Sequence, residues 1–281
     1  MNEHHGAEPD QAGGSSPYRH ENPLLAEVRL LLTAVMFYTR IPCPAWVGHS
    51  DDQLNRSTRY FPAMGWLVAG IVAAVVWAAQ LALPAPVAVV LGLGAGVLAT
   101  GAFHEDGFAD LCDGFGGGST PQRTLEIMKD SRVGAYAVLG LVLLFGVKIT
   151  ALTGFVQLGL SSGLAGLAYA HVVSRWCVVT IIFTGVYARD DLTSKVKPIG
   201  RQISWPGMVA ASLWLLPFAG LGWWHPWWLA ALPVAFLARL WLARWFAKRL
   251  GGYTGDCLGA AQQIIETVVL LVCLGLAQAG L

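Results

Sequence analysis

Residues 135–156 read AYAVLGLVLLFGVKITALTGFV, a run with one charge, Lys148. As a helix rising 1.5 Å per residue, such a run is about 33 Å long, enough to cross the hydrocarbon core of a bilayer. Six further stretches read the same way. They are 61–83, 85–103 after a Pro-containing turn, 163–187 with His171 and Arg175 inside, the shorter 208–221 broken by Pro217, 226–247 with Arg239 and Arg244, and 258–278 with Glu266. The expectation is an all-α, polytopic membrane bundle of about seven crossings. Composition agrees. Charged residues are 12%, hydrophobic residues 55%, and Gly is 33 of 281, whereas a soluble domain carries about 25% charge. A disordered chain, a coiled coil and a disulfide scaffold are excluded. Residues 24–41 hold Glu27 and Arg29 in a shorter run and read as an interfacial amphipathic helix. Residues 1–23 are polar throughout, without an apolar run, and read as a disordered tail.

Seven crossings sort the charges. One side receives 42–60, 104–134, 188–207 and 248–257, with Arg56, Arg59, Arg123, Lys129, Arg132, Arg189, Lys195, Lys197, Arg201, Lys248 and Arg249. The opposite connections hold no Lys or Arg. The positive-inside rule places the first set in the cytoplasm. Trp223, Trp224, Trp227 and Trp228 read as an aromatic belt on the far side. Arg239 and Arg244, flanked by Trp241 and Trp245, read as snorkelling to the interface. The net charge of +1 gives no field for nucleic acid, and five single cysteines give neither a disulfide framework nor a Cys-rich zinc site.

The chemistry concentrates in HEDGFADLCDGFGGG, residues 104–118. Asp106, Asp110 and Asp113 are spaced i, i+4, i+7 and fall within about 60° of one helix face. Three carboxylates on one face repel one another and call for a cation, and oxygen donors suit Mg²⁺ or Ca²⁺. The plain alternative is a solvated acidic face at a helix end. Glu105 points about 100° away from Asp106 and is not counted with the three. Gly117 lies in a Gly-rich run that could cradle an anion or simply end a helix. No H-E-x-x-H, G-x-S-x-G or Walker A pattern occurs. Lys129 and Arg132 follow closely, with Asp130 between them. Carboxylates for a metal beside Lys and Arg are the parts of phosphoryl transfer, where metal and cations take up phosphate charge. GGYTGD at 251–256 offers Asp256 as a second polar edge of the site. Gln262, Gln263 and Glu266 follow inside the last span, and His171 and Arg175 stand at i, i+4 in another. Ionisable groups within spans mark function by default.

On these pieces the sequence resembles the cobalamin synthase family of adenosylcobinamide-GDP ribazoletransferases, integral-membrane enzymes that complete the nucleotide loop of vitamin B12. The resemblance rests on Phe37 to Pro42, Arg59 to Pro62 with Gly65, His104 to Gly114, Glu126 to Gly134, Ser174-Arg175-Trp176 and Gly251 to Asp256, in family order. It implies one membrane-embedded catalytic domain over 24–281 and residence in the bacterial inner membrane. It also implies transfer from adenosylcobinamide-GDP to α-ribazole or its 5′-phosphate, with Mg²⁺ required and GMP released.

On that reading Asp106, Asp110 and Asp113 hold Mg²⁺ on the pyrophosphate, and Lys129 and Arg132 neutralise phosphate charge. Asp130 completes the metal site or serves as base, with Asp256 and a metal-bound water as the other candidate bases. Arg40, Arg59, His104, Gly117, Arg175, Asp256, Gln263 and Glu266 are the candidate substrate contacts. Assembly as a homo-oligomer stays open. The competing class is a transporter using Lys148, Arg175 and Glu266. An acidic cluster at a span end and the lack of an internal repeat weigh against it.

Overall fold

The computed structural model describes residues 22–188, 202–224 and 229–280. The tail up to residue 21, the cations Arg189, Lys195, Lys197 and Arg201, and Trp227 and Trp228 lie outside the described residues. Those described form twelve α-helices and no strand. They are α1 (Pro23–Tyr38), α2 (Asp51–Ser57), α3 (Phe61–Ala79), α4 (Ala85–Thr100), α5 (Phe103–Gly117), α6 (Pro121–Ile127), α7 (Ala135–Leu158), α8 (Leu160–Thr184), α9 (Trp205–Leu213), α10 (Leu216–Trp224), α11 (Ala231–Leu250) and α12 (Gly255–Gln278).

Local chemistry starts many of them. Asn22 accepts from the Leu24 N–H, Thr120 from Arg123 and Thr254 from Cys257, each opening its helix as a side-chain cap. Proline stands in the first turn of α1, α3, α4, α6 and α9, where its missing N–H is not needed.

Four helical stretches are long and apolar enough to cross a membrane: Asp51–Ala79, Ala135–Leu158, Leu160–Thr184 and Gly255–Gln278. A fifth is the pair α4–α5, which bends by 91°. The expected span at 85–103 therefore stops at Thr100 and turns a corner. Gly101, at φ 65°, ends α4 with the Gly101 N–H on the Leu98 carbonyl and the Ala102 N–H on the Val97 carbonyl, a Schellman closure. Ala102 is also left-handed, at φ 60°, a conformation that costs a non-glycine residue about 1–2 kcal/mol. The short α9 and α10 and the cation-bearing α11 do not meet the same standard of length and apolarity.

The centre of the bundle is α8, buried from Gly163 to Ile182 along most of its length and touched by α3, α7, α11 and α12. Small residues bring the helices together. Gly92 and Gly96 on α4 lie against Val72 and Val76 of α3, and a Cβ on Gly65 would stand 2.7 Å from the His171 carbonyl oxygen. Membrane helices favour such small-residue seams because lipid offers no hydrophobic drive for association. Leu139, Val142 and Leu143 of α7 and Leu237 and Trp241 of α11 face outward, as lipid-facing positions should. On α1, Leu30, Ala34 and Tyr38 turn inward, while Leu25, Val28 and Met36 are exposed.

Candidate active site

Helix α5 carries the acidic face and is pinned at both ends. Its Gly107 lies against α12, where a Cβ would stand 3.0 Å from both the Cα and the carbonyl oxygen of Asp256. Glycine eases that approach, which brings the Asp256 backbone against the helix between Asp106 and Asp110. Asp106 is exposed and Asp110 partly buried. Thr254 caps α12 just above, and the loop before it is stitched to the end of α8 by the Tyr253 N–H on the Val186 carbonyl and the Ala188 N–H on the Tyr253 carbonyl, both 2.9 Å.

Asp113 has a different occupation. Its Oδ2 accepts from the Gly134 N–H at 2.6 Å and its Oδ1 from the Ala137 N–H at 2.9 Å. It is the N-terminal cap of α7, supplied from another helix, and the positive end of α7 suits its charge. Among the described residues no three His, Cys, Asp or Glu side chains converge into a metal cage. Asp106, Asp110 and Asp113 keep one face of α5, but both Asp113 oxygens are taken by the first turn of α7.

The glycine run closes the C-terminal end of α5. Gly117 sits in the last turn of α5, the carbonyl end of the helix dipole, which disfavours anions. Its orphan carbonyls are met by Arg249, whose Nη2 donates to Phe115 O at 3.0 Å and Gly118 O at 2.9 Å. A Cβ on the neighbouring Gly116 would stand 2.5 Å from the Tyr136 ring, so the run serves close packing.

The cations divide. Arg132 forms a forked pair with Asp130, with contacts of 2.6 to 3.1 Å. That pairing holds the Asp130 carboxyl down at about 2, so it is a weak base near neutrality. Lys129 is exposed beside it. Arg40 packs on Gly101 at the α4–α5 corner, with its N–H on Ala99 O at 2.7 Å. Arg59 pairs with Glu27 at 3.1 Å and, with Arg56, Asn55 and Gln202, lines a cavity of about 490 Å³. Arg239 does not snorkel outward. It is buried, with Nε on Thr180 Oγ1 at 2.8 Å and Nη2 on Thr180 O at 2.5 Å, because α8 offers acceptors that lipid cannot. Arg244 is exposed as expected.

Behind the acidic face lies a buried polar network. Gln263 Nε2 donates to Glu105 Oε1 at 2.9 Å. Lys148 Nζ donates to Gln263 Oε1 at 2.5 Å and to Glu266 Oε1 at 2.6 Å. Arg175 Nη1 reaches Glu266 Oε2 at 3.3 Å and the His171 carbonyl at 2.9 Å. His171 Nδ1 stands 3.0 Å from the same Glu266 oxygen, and Gln262 donates to it as well. Arg175 also lies over the Phe61 ring at 5.7 Å, and His104 stacks on that ring at 5.6 Å. The network borders a cavity of about 20 Å³, room for roughly one water.

Arg175, Gln263, Glu266 and His104 thus come together around one small cavity sealed inside the bundle. Lys148, which the sequence offers as a charge within a span and a candidate part of a transport pathway, is the partner of Glu266. Opposite charges in two spans were the signal that could have paired them. Glu105 is partly buried and bonded to Gln263, while Asp106 is exposed.

A sequence model of the cobalamin-5-phosphate synthase family matches residues 30–274. An adenosylcobinamide-GDP ribazoletransferase of Shewanella amazonensis is 45% identical over 252 residues, 88% of this chain and 95% of the relative. Proteins of the same name from Leptothrix cholodnii and Ralstonia pickettii are 43% and 42% identical, with 88% and 89% of this chain and 96% of each relative covered. No solved structure matches.

Proposed function

Because the chain belongs to the cobalamin-5-phosphate synthase family, we infer that it is the membrane transferase of nucleotide-loop assembly, moving adenosylcobinamide phosphate from adenosylcobinamide-GDP to α-ribazole or its 5′-phosphate. The ribazole 3′-hydroxyl oxygen bonds to the phosphorus on the cobinamide side. The bond from that phosphorus to the bridging oxygen breaks, GMP leaves with the electron pair, and the hydroxyl proton passes to a base. The observation that carries this reading is the α5 surface, where Asp106 and Asp110 share one face and Asp256 stands against the same helix.

That surface fits Mg²⁺, which takes one or two carboxylates and completes its shell with water and substrate phosphates. Asp106 and Asp110 would hold it, and it would screen the diphosphate and stabilise the leaving group. Asp113 fixes the C-terminal half of the helix that carries them. Asp256 is our candidate to accept the hydroxyl proton, supported by its backbone lying against Gly107 of α5, whereas Asp130 is tied to Arg132 and too weakly basic. Lys129, Arg132 and Arg40 supply positive charge toward the diphosphate. Arg59 contributes from its cavity.

The charges that a transport pathway would use, Lys148, Arg175 and Glu266, bond to one another instead. We place the active face in the cytoplasm of a bacterial inner membrane, on the side where Lys and Arg collect. The α9–α10 pair and α11 bring the crossings to seven. Helix α11, with 20 residues, is about 30 Å long and packs on the spans α8 and α12.

The test is purified protein in nanodiscs with adenosylcobinamide-GDP and α-ribazole, with and without Mg²⁺. GMP and the corrinoid product should appear in equal amounts and stop with EDTA. Asp106→Asn and Asp110→Asn should each lower the rate about 100-fold or more, the scale of losing a transition-state charge partner, while the protein stays folded. Wild-type rates in both variants would remove the metal assignment.

A further inference from the structure

Four polar groups, three of them buried and Glu105 partly so, form one continuous chain across three helices: Glu105 on α5, Gln263 on α12, Lys148 on α7 and Glu266 back on α12. Arg175 and His171 extend it to α8. Lys148, Gln263 and Glu266 are each below 5% exposed, so none is placed to touch a substrate. The chain ends on Glu105, the residue immediately before Asp106. At the other end of the same helix Asp113 is bonded to the first turn of α7, and at Gly107 the helix rests on Asp256. Two side-chain anchors on different faces and a backbone contact between them fix both the rotation and the axial position of α5. A rotation of one residue, about 100°, would carry Asp106 and Asp110 off their face altogether.

We propose that Glu105, Gln263 and Lys148 are positioning residues that hold the Asp106–Asp110 face in register with Asp256 for divalent-metal binding. The proposal rests on the reading that Asp106 and Asp110 hold Mg²⁺. Glu105 acts as a hydrogen-bond acceptor for Gln263, and its charge is not required for this role. Outer-shell partners of this kind usually change metal affinity or activity by 10–100-fold when removed.

The test uses the full chain in nanodiscs and two readouts besides turnover: Mn²⁺ binding by electron paramagnetic resonance, with Mn²⁺ standing in for Mg²⁺, and hydrogen exchange along α5. Three variants separate the roles. Glu105→Leu and Gln263→Leu cut the link while leaving the Lys148–Glu266 pair intact. Glu105→Gln keeps an amide oxygen that still accepts from Gln263. In both leucine variants Mn²⁺ affinity should fall about tenfold or more, and exchange should rise in 103–110 but not in α8. Glu105→Gln should restore both.

Unchanged exchange in both leucine variants overturns the clamp, whatever the metal does. Raised exchange with unchanged Mn²⁺ affinity overturns its link to the carboxylates. Equal losses in Glu105→Gln and Glu105→Leu overturn it in favour of a direct role for the Glu105 charge. Failure of the metal reading shows separately, as Mn²⁺ binding in the wild type that survives Asp106→Asn combined with Asp110→Asn. Raised exchange in the leucine variants would then leave a clamp on α5 with no metal to position, and the proposal would fall with that reading.

Discussion

Glu266→Gln changes almost no volume and removes one buried negative charge, so its cost reads the electrostatics of the bundle directly. The carboxylate is about 4% exposed and meets Lys148 at 2.6 Å, Arg175 at 3.3 Å and His171 at 3.0 Å. Without its charge, Lys148 and Arg175 remain in the interior with Glu105 as the nearest other carboxylate of the network, reached only through Gln263. Breaking a buried pair by removing one partner costs about 3–5 kcal/mol, because the other charge is left uncompensated. Lys148→Met should cost less, about 1.5–3 kcal/mol, the worth of one charged hydrogen bond, since Arg175 still neutralises Glu266. The double variant leaves one uncompensated cation where Glu266→Gln leaves two. It should therefore be more stable than Glu266→Gln alone by about 1 kcal/mol, which, with the Lys148→Met cost added, is a coupling of about 3 kcal/mol. Reversible unfolding in mixed micelles, followed by the fluorescence of the 12 tryptophans, measures all three. If the two single costs simply add, the residues do not neutralise one another and the network is a set of independent bonds.

Gly107→Ala places a methyl group 3.0 Å from the Asp256 backbone and should cost about 1–3 kcal/mol through overpacking, with a larger proportional loss of transfer rate than of stability. Arg249→Met leaves the carbonyls of Phe115 and Gly118 without their shared donor; about 1–3 kcal/mol should be lost, read in the same micelle titration. The Asp130 carboxyl, held at about 2 by Arg132, is fully ionised throughout the pH range 5–9. Asp130→Asn should accordingly lower the rate by one factor at every pH in that range. A variant that moves the acidic limb of the pH–rate profile would show that Asp130 titrates in catalysis.

Helix positions were legible wherever hydropathy alone decides them. Residues 135–156 became Ala135–Leu158 and residues 258–278 became Gly255–Gln278, because an uninterrupted apolar run has nowhere to stop but at its caps. The span at 85–103 failed at Ala102, whose left-handed backbone leaves no mark in composition; only Gly101 beside it hinted at a corner. The i, i+4 spacing placed Asp106 and Asp110 together correctly, since both lie on one helix. Asp113 obeys the same spacing, yet its oxygens are claimed by α7 from 21 and 24 residues away. Rotation of one helix about another is set by contacts between distant segments, and a single helix's periodicity does not contain it. The same holds for Lys148 and Glu266, each visible as a costly charge in its span and unpaired until the spans are packed.

The order of synthesis gives that ion pair another consequence. Lys148, His171 and Arg175 all leave the ribosome before Glu266, and Lys148 precedes it by 118 residues. At 5–20 residues per second the interval is roughly 6–24 s. During it α7 holds an ammonium group that costs about 2.5–3.5 kcal/mol at the centre of a membrane helix, offset by the apolar residues on either side. Glu105, made earlier, is the one carboxylate of the network already present. The final helix thus brings the neutralising charge with it, and a chain stalled or truncated before residue 266 carries Lys148 and Arg175 without the carboxylate they share.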